Sequence, residues 1–346
     1  MIRTVCLVSL SRGLLGEPKI KHEYEIGIRR LEQFGLHVKL GAHALDGIAR
    51  LDARPEDRAA DLLAAFSDPD VDLIFCAIGG NDTYRLAPYL FNHDELKHAL
   101  THKRFLGFSD TTVNHFMLHK LGLPTFYGQS FISDTCELSE TMLPYTERYF
   151  KEFLETGTIR EIRPSDVWYK GRTSFAPDQI GVPLTPLENQ GFVLLQGAPV
   201  FSGPILGGCI ESIGEMLDES LDHSAERRMT AVCKQYGLFP DKADWQGRIL
   251  LLESSEEMMP PEDYRKALIA LRERGVFDAV RGILVGKPMD EIYYDEYPPI
   301  LKEVIDNPDL PVVYNLNVGH ALPRCIVPFG VPATVDVNEQ RITFSV

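Results

Sequence analysis

A serine at an abrupt junction between a predicted strand and a predicted helix is the residue best placed to do chemistry in this chain. The strand reads Phe105-Leu106-Gly107, Ser109 follows at the corner, and apolar residues at helical spacing begin at Val113. The free N–H groups at the start of such a helix can stabilise the anion that forms when a serine attacks a carbonyl. Thr111 stands where the hydrolase elbow G-x-S-x-G has its second glycine, so a helix-capping serine is the alternative.

Two further candidates stand at the ends of predicted strands. Glu253 directly follows the apolar run Ile249-Leu250-Leu251-Leu252, and His320 ends a turn after a predicted strand over 311–316. Serine attack on an amide or ester needs a base and a carboxylate that orients the base, and these two residue types supply both. Each has an ordinary alternative, because Glu253 could be a solvated strand end and His320 a loop residue.

Other groups of residues in the sequence give weaker evidence for a functional site. Glu211 is a second choice for the carboxylate, but its place inside a short predicted helix favours a supporting role. His115 and His119 are four residues apart, yet Phe116 occupies the glutamate position of H-E-x-x-H, so we predict no metal site there. Gly79-Gly80-Asn81 matches neither common phosphate-binding loop, and we interpret it as a tight turn whose amides point into a cleft.

Size and charge narrow the class of protein. At 346 residues the chain predicts two domains, and its 44% hydrophobic and 25% charged residues are typical of a globular protein. The formal charge of -15 repels phosphate backbones and anionic lipid, so we expect neither nucleic acid nor a membrane surface as a partner. The apolar start from Thr4 to Leu10 has no cleavage site and predicts a strand, which favours a cytoplasmic protein. The six cysteines show no C-x-x-C spacing and are predicted to be free thiols.

The elements that must position the candidates alternate between strand and helix over the first 130 residues, which predicts a parallel sheet covered by helices. We predict helices from about Ile20 to Gly35 and from Pro55, and a buried strand over 71–78. Ligands of such sheets bind beyond the carboxyl ends of the strands. The loop at Gly79 and the turn at Ser109 both follow strand ends and could therefore share one cleft.

The remainder of the chain predicts a connection and a second domain. Periodicity is lost from about Glu155 to Gln196, and a β-containing domain begins near Phe201, with Gly207-Gly208 leading into a short helix. We therefore divide the chain into an N-terminal α/β domain over 1–154, an interdomain connection over 155–200 and a C-terminal domain over 201–346. The end of the chain predicts a hairpin around Asn338-Glu339-Gln340.

With these motifs in place, the chain resembles the serine peptidase family that contains the cytoplasmic LD-carboxypeptidases of peptidoglycan recycling and the microcin C self-immunity hydrolases. The resemblance runs over essentially the whole length. Its markers are Ile78-Gly79-Gly80-Asn81-Asp82, Gly107-Phe108-Ser109-Asp110-Thr111-Thr112, Phe126-Tyr127-Gly128, Gly207-Gly208-Cys209-Ile210-Glu211-Ser212, Leu251-Leu252-Glu253, and Val318-Gly319-His320 with Pro328-Phe329-Gly330.

The resemblance implies a catalytic triad of Ser109, Glu253 and His320, the same three residues that the strand ends suggest. It implies an oxyanion hole made of the backbone amides of Gly80 and Asp110, and neither a metal nor an organic cofactor. The fold that it implies is an N-terminal flavodoxin-like parallel sheet domain joined to a C-terminal β-rich α/β domain. A homodimer is the implied assembly.

Within the family the chain looks closer to the microcin-immunity branch, whose members cleave an amide in aminoacyl-nucleotides and stack the base on aromatic residues. Trp168 in the connection is the available tryptophan, and it could stack a base or pack the connection onto the domain. A second expected tryptophan is absent, with Phe192 nearby. Asn81 and Trp168 are thus the predicted substrate-binding residues.

The predicted activity is hydrolysis of an amide near a free carboxylate in a small peptide or peptidyl-nucleotide. The alternative is an LD-carboxypeptidase that acts on murein tetrapeptide in peptidoglycan recycling. A non-catalytic binder of a small ligand is a third possibility, because two α/β domains facing a cleft also suit ligand capture.

Overall fold

The computed structural model describes residues 1–345 and divides the chain into two compact units. The first unit comprises Met1–Thr158 with Arg172–Leu184, and the second comprises Ile159–Gly171 with the chain from Thr185 onward. Among the described residues, no helix is both long and apolar enough to cross a membrane.

The first unit is a parallel sheet with helices between its strands. Its strands are β1 (Thr4–Val8), β2 (His37–Leu40), β3 (Leu73–Cys76), β4 (Arg104–Gly107) and β5 (Thr125–Tyr127). Its helices are α1 (Lys21–Gln33), α2 (Ile48–Ala53), α3 (Pro55–Ser67), α4 (Ala87–Phe91), α5 (Glu95–Ala99), α6 (Thr112–Lys120) and α7 (Pro144–Thr156). These strands pair in the parallel order β2-β1-β3-β4-β5, which is the flavodoxin-like order. The predicted fold of this half is confirmed.

The strand order reverses direction between β1 and β3, and ligand sites of open α/β sheets lie at such a switch point. The chain leaves β1 toward Ser11, leaves β3 into Gly79-Gly80 and leaves β4 into Ser109. Strand β3 is fully buried, in keeping with its unbroken apolar sequence. Sheet topology therefore gathers the predicted nucleophile and the glycine loop at one edge.

The second unit is built on a mixed sheet. Its strands are β6 (Glu161–Ile162), β7 (Val167–Tyr169), β8 (Pro186–Glu188), β9 (Val193–Gln196), β10 (Val200–Cys209), β11 (Ile249–Glu253), β12 (Gly282–Gly286), β13 (Val312–Leu316), β14 (Val327–Phe329), β15 (Pro332–Asp336) and β16 (Arg341–Phe344). Its helices are α8 (Ile210–Leu217), α9 (Met229–Tyr236), α10 (Lys242–Trp245), α11 (Pro261–Glu273), α12 (Val276–Ala279) and α13 (Tyr297–Ile305).

The large sheet of this unit has the order β6-β16-β15-β10-β11-β12-β13-β9. The strands from β10 to β13 are parallel, with antiparallel strands on both sides, so the β-rich half has a parallel centre. The predicted hairpin forms as β15 and β16, with Val335 opposite Ile342. Parallel strands end at one edge, which brings Glu253, Lys287 and the turn before His320 to the same side of the sheet.

Strand β10 was not predicted, because Gly203, Pro204, Gly207 and Gly208 all argue against a strand interior. In the structure, a glycine of β10 allows close packing against the neighbouring strand β11. Gly207 has a φ of 150°, and a Cβ there would overlap the carbonyl oxygen of Leu251 in the neighbouring strand β11. Gly207, which weakens the strand signal, is therefore the residue that lets β10 lie against β11.

Candidate active site

Ser109 stands at a strained turn between β4 and α6. Its φ of 67° lies in the left-handed region, which costs a non-glycine residue about 1–3 kcal/mol. The Ser109 N–H donates to the hydroxyl oxygen of Tyr127 at 3.1 Å, which ties the turn to the end of β5. Thr111, at the position of the missing glycine, donates its hydroxyl to the Phe108 carbonyl at 2.9 Å. A partly exposed serine in this conformation has the geometry of a nucleophile elbow.

The glycine loop after β3 lies directly against this turn. A Cβ on Gly79 would be 2.7 Å from the Ser109 Cβ and 2.9 Å from its Oγ, so only glycine allows this approach. The Gly79 carbonyl accepts from the Arg12 N–H at 3.2 Å. Because a trans peptide points its C=O and N–H in opposite directions, the Gly80 N–H points away from Arg12. The predicted oxyanion role of Gly80 stays a prediction.

Asp110 joins the glycine loop to the nucleophile turn through its side chain. Its Oδ2 accepts from the Ser11 hydroxyl at 2.5 Å, the Asp82 N–H at 3.1 Å and the Thr83 N–H at 3.0 Å. Burial and the nearby charge of Asp82 raise the pKa of Asp110 to about 6, although these hydrogen bonds lower it. Sequence reasoning assigned only the backbone of Asp110 a role. Its carboxylate fixes the loops that follow β1, β3 and β4 relative to one another.

A buried ion pair supports the same loops. The Arg58 guanidinium donates to both carboxylate oxygens of Asp82, at 2.7 and 2.9 Å, and its side chain is 0% exposed. The same guanidinium donates to the carbonyls of Leu10 and Ser11 after β1. Sequence reasoning missed Arg58, because an arginine within an amphipathic helix ordinarily lies on its solvated face.

Glu253 and His320 form a buried pair in the second unit. Glu253 is the last residue of β11, and its Oε2 accepts from the His320 Nδ1–H at 2.8 Å and from the His320 backbone N–H at 3.2 Å. Two bonds to one oxygen fix both the position of the histidine and the plane of its ring. A carboxylate on Nδ1 also leaves Nε2 as the nitrogen that acts on a substrate, which is the arrangement of a catalytic base and its orienting acid.

Two glycines make room for Glu253. Gly319 has a φ of 90°, and a Cβ there would overlap the Glu253 carboxylate. A Cβ on Gly286 would be 2.8 Å from the Glu253 Cβ and 2.6 Å from the Val318 carbonyl oxygen. Glycine is required at position 319, directly before His320, because only a residue without a side chain lets the Glu253 carboxylate reach the His320 backbone.

A second carboxylate, which the sequence analysis treated only as part of a polar strand end, contacts the other ring nitrogen of His320. Glu256 Oε2 lies 3.0 Å from His320 Nε2, and the Glu256 side chain is 64% exposed. Burial by itself lowers the pKa of His320, but the charges and hydrogen bonds of Glu253 and Glu256 outweigh it and raise the pKa to about 10. The hydrogen bond from His320 in turn lowers the pKa of Glu256 to about 2.

Glu211 has the supporting contact that its helical position predicted. It lies in the first turn of α8, accepts from the Ser255 N–H at 2.9 Å and accepts from the Cys209 thiol at 3.2 Å. Burial and the nearby charge of Glu253 raise the pKa of Glu211 to about 7. Glu211 therefore holds the loop after β11, which carries Glu256.

Comparison with known families settles the class of protein. The LD-carboxypeptidase N-terminal domain matches residues 5–128, and the LD-carboxypeptidase C-terminal domain matches residues 202–335. The chain belongs to the LD-carboxypeptidase family. It is therefore a peptidase of the serine carboxypeptidase type, as predicted.

Relatives of this LD-carboxypeptidase family member fall in both predicted branches. An MccF-like protein from Streptococcus pneumoniae, whose crystal structure is a complex with AMP, is 54% identical, with a TM-score of 0.97 over 100% of this chain and 99% of that one. A putative carboxypeptidase of Treponema pallidum is 28% identical over 91% of this chain and 84% of its own length. The Escherichia coli microcin C7 self-immunity protein MccF is 23% identical over 84% of this chain and 78% of its own.

Trp168, a predicted substrate residue, is buried in the peptidase and only 4% exposed. The Lys287 ammonium lies 4.8 Å from the centre of its ring and 4.8 Å from that of Tyr294, a cation–π arrangement. Burial lowers the pKa of Lys287, against an opposing ion pair with Glu291. These contacts give Trp168 a packing role, which was one of its two predicted roles, while base stacking stays a prediction. Asn81 lies exposed in the loop after β3.

The histidines of α6 do not form a metal site with each other. His115 is fully buried, where its ring nitrogens contact the Thr125 hydroxyl at 2.7 Å and the Gly107 carbonyl at 3.1 Å. Burial lowers its pKa to about 3, so the ring is neutral. Within residues 1–345, the cluster with metal-like spacing is instead His43, Asp46 and Asp57, which includes no predicted site residue.

Proposed function

We propose that this LD-carboxypeptidase family member hydrolyses an amide near a free carboxylate in a peptidyl-nucleotide or a small peptide, with Ser109 as the nucleophile. The observation that carries the nucleotide assignment is the Streptococcus pneumoniae relative, which is 54% identical over the whole chain and was crystallised with AMP. The strained Ser109 turn and the Glu253–His320 pair support the chemistry.

In the proposed reaction, the Ser109 Oγ attacks the amide carbonyl while Nε2 of His320 takes the hydroxyl proton. The negative charge moves to the carbonyl oxygen, where the backbone N–H groups of Gly80 and Asp110 stabilise it. The carbon–nitrogen bond then breaks, and the proton on Nε2 goes to the departing nitrogen. Water, deprotonated by His320, attacks the acyl-serine and releases the acid and free Ser109. Glu253 orients the imidazole throughout.

Several finer assignments belong to the same proposal. Asn81, in the glycine loop, is proposed to contact the substrate, and Trp168 is proposed to contact the base if the connection around it rearranges. We also propose a cytoplasmic location and a homodimer, for which the family resemblance is the support. Light scattering coupled to size exclusion measures the mass in solution and tests the dimer.

The alternative substrate is a murein tetrapeptide, because a Pseudomonas aeruginosa relative is named a murein tetrapeptide carboxypeptidase. Both substrates present an amide close to a free carboxylate, so the same triad would serve either. The deciding experiment incubates the protein with a murein tetrapeptide and, separately, with an aspartyl-sulfamoyl adenosine, and follows the masses of the products. We expect cleavage of the aminoacyl nucleotide; exclusive cleavage of the tetrapeptide would assign the carboxypeptidase role.

The Ser109→Ala variant serves as the control for both substrates. It should fold as the wild type does and lose nearly all turnover, because the remaining groups cannot form an acyl-enzyme. Turnover within tenfold of the wild type would exclude Ser109 as the nucleophile. A protein that binds either compound without cleaving it would instead be the small-ligand binder that the sequence leaves possible.

A further inference from the structure

Both ring nitrogens of His320 face a carboxylate. Nδ1 lies 2.8 Å from Glu253 Oε2, and Nε2 lies 3.0 Å from Glu256 Oε2. An ionised carboxylate only accepts hydrogen bonds, so each nitrogen carries a proton and the ring is an imidazolium. A general base needs a lone pair on Nε2, so Glu256 must leave that nitrogen before His320 can take a proton from a serine.

The Glu256 carboxylate occupies a position that favours negative charge. The hydrogen bond from His320, together with the charges of His320 and Arg324, lowers the pKa of Glu256 to about 2, although burial raises it. The neighbouring acids do not reverse this effect, because Glu253 is neutralised by the imidazolium at 2.8 Å and the exposed Glu257 is screened by solvent. The side chains of His320 and Arg324 therefore form a carboxylate site, which Glu256 fills.

Arg324 is the fixed part of this carboxylate site. It is only 4% exposed, and its Nη2 donates to the His320 carbonyl at 3.0 Å. The Cys325 N–H donates to the Asn317 carbonyl at 2.8 Å, which holds the segment that carries Arg324. Five N–H donors in one plane let a guanidinium bind a backbone carbonyl and a carboxylate at the same time. Arg324 is thus preorganised for an anion.

Glu256 is the movable part of the same site. It lies in the loop between β11 and α11, and its side chain is 64% exposed. Solvent weakens an exposed ion pair, and a glutamate side chain can leave it by rotating about its own bonds. A carboxylate that replaces Glu256 meets the same two cations, whereas a neutral group lacks that attraction. The group that takes the place of Glu256 should therefore be an anion.

We propose that Arg324 is a specificity-determining residue that binds the free carboxylate of the substrate in the place that Glu256 fills in the free enzyme. When the substrate's carboxylate pairs with the guanidinium, Glu256 moves into solvent and the proton on Nε2 passes to water. The neutral imidazole can then accept the Ser109 proton. This inference rests on the proposed hydrolysis by Ser109 and names the residue that recognises the carboxylate beside the amide.

The test compares aspartyl-sulfamoyl adenosine with its asparaginyl analogue, in which a neutral amide replaces the free carboxylate. The wild type should favour the aspartyl compound by about tenfold to a hundredfold in kcat/KM, the range that a hydrogen bond between charged groups supplies. Arg324→Gln should lose this preference through the aspartyl compound alone. Arg324→Lys, which keeps the charge without the planar fork, should retain part of it. Arg281→Gln, which removes the same charge from an exposed arginine of the second unit, should keep the wild-type preference.

A second variant tests the competition between Glu256 and the substrate. Glu256→Gln removes the competing anion, so the KM for the aspartyl compound should fall by about threefold or more. A general loss of structure would instead lower kcat/KM for both compounds alike.

Equal kcat/KM for the two compounds in the wild type, a preference that survives Arg324→Gln, or an unchanged KM in Glu256→Gln would overturn the inference and leave the proposed hydrolysis standing. If the wild type cleaves only murein tetrapeptide, the same variants are compared on the tetrapeptide and its C-terminal amide, with the same outcomes for and against. If the wild type cleaves none of these four compounds, both the inference and the proposed function fail.

Discussion

Substitution of Gly79 by alanine tests whether activity depends on the close approach between the glycine loop and Ser109. The added Cβ would lie 2.7 Å from the Ser109 Cβ, where two carbon atoms prefer roughly 3.5–4.0 Å. One of the two segments must therefore move by about 1 Å. The hydrogen bonds from the Asp82 and Thr83 N–H groups to the Asp110 carboxylate oppose that movement, because they join the glycine loop to the turn that carries Ser109.

A displacement of about 1 Å at a reacting atom costs on the order of a hundredfold in rate. We expect Gly79→Ala to lower kcat/KM by about that factor. Overpacking should also reduce the free energy of unfolding by roughly 1–3 kcal/mol. The assay pairs kcat/KM on the cleaved substrate with urea unfolding, which separates the two effects.

Gly122→Ala is the matched control. Gly122 has a φ of 81° and nothing within 4 Å of the added Cβ, so alanine there is strained without touching the nucleophile. It should cost about 1–2 kcal/mol of stability and leave kcat/KM close to the wild-type value. The reasoning is refuted if Gly79→Ala keeps kcat/KM within threefold of the wild type, or if both variants lose activity equally.

Further predictions concern the buried charges and the Glu253–His320 pair. Arg58→Met should lower the free energy of unfolding by about 3–5 kcal/mol in a urea titration, because it removes the bidentate partner of the buried Asp82 carboxylate and leaves only the longer contact with Arg85 at 3.3 Å as an ion pair. Arg58→Met with Asp82→Asn should recover part of that loss, and no recovery would argue against the ion pair as the cause. Glu253→Gln should lower kcat by about 10⁴-fold, since the carboxylate that orients the base is lost, and a loss under tenfold in steady-state kinetics would contradict this role. The pKa of His320 is raised from 6.5 to about 10 in the folded protein, so its protonation stabilises the fold fully below pH 6.5 and that stability disappears as the pH rises through about 10. Unfolding free energies measured between pH 7 and 10 should therefore fall more steeply for the wild type than for His320→Gln, and parallel curves would count against the pair.

The sequence was sufficient to predict those parts of the structure that depend on local patterns. The apolar runs before Gly79 and Glu253 predicted buried strands, and both strands form. The turn at Ser109 was visible as a strand meeting a helix, although its left-handed backbone was not. The two-part α/β fold and the family also followed from the motifs and are confirmed.

Sequence reasoning failed where a residue acts through a distant partner. Strand β10 was hidden because Gly207, which argues against a strand, is needed for the close approach to Leu251 of β11. Arg58 lies on an ordinary amphipathic helix, and nothing nearby in the chain indicates that Asp82 would neutralise it. Glu256 stood in a polar run after a strand, where solvation was the simpler interpretation.

The sequence by itself determined the alternation of strands and helices in the first half of the chain, the candidate nucleophile and the candidate base with its carboxylate, because periodicity and strand ends are local properties. The tertiary structure decided the environment of each group. It placed Glu253 on one nitrogen of His320 and Glu256 on the other, and it fastened the Ser109 turn to the glycine loop through Asp110. Such contacts depend on which loops the sheet brings to one edge, and hydrogen bonds between groups so far apart in the chain leave no periodic signal in the sequence.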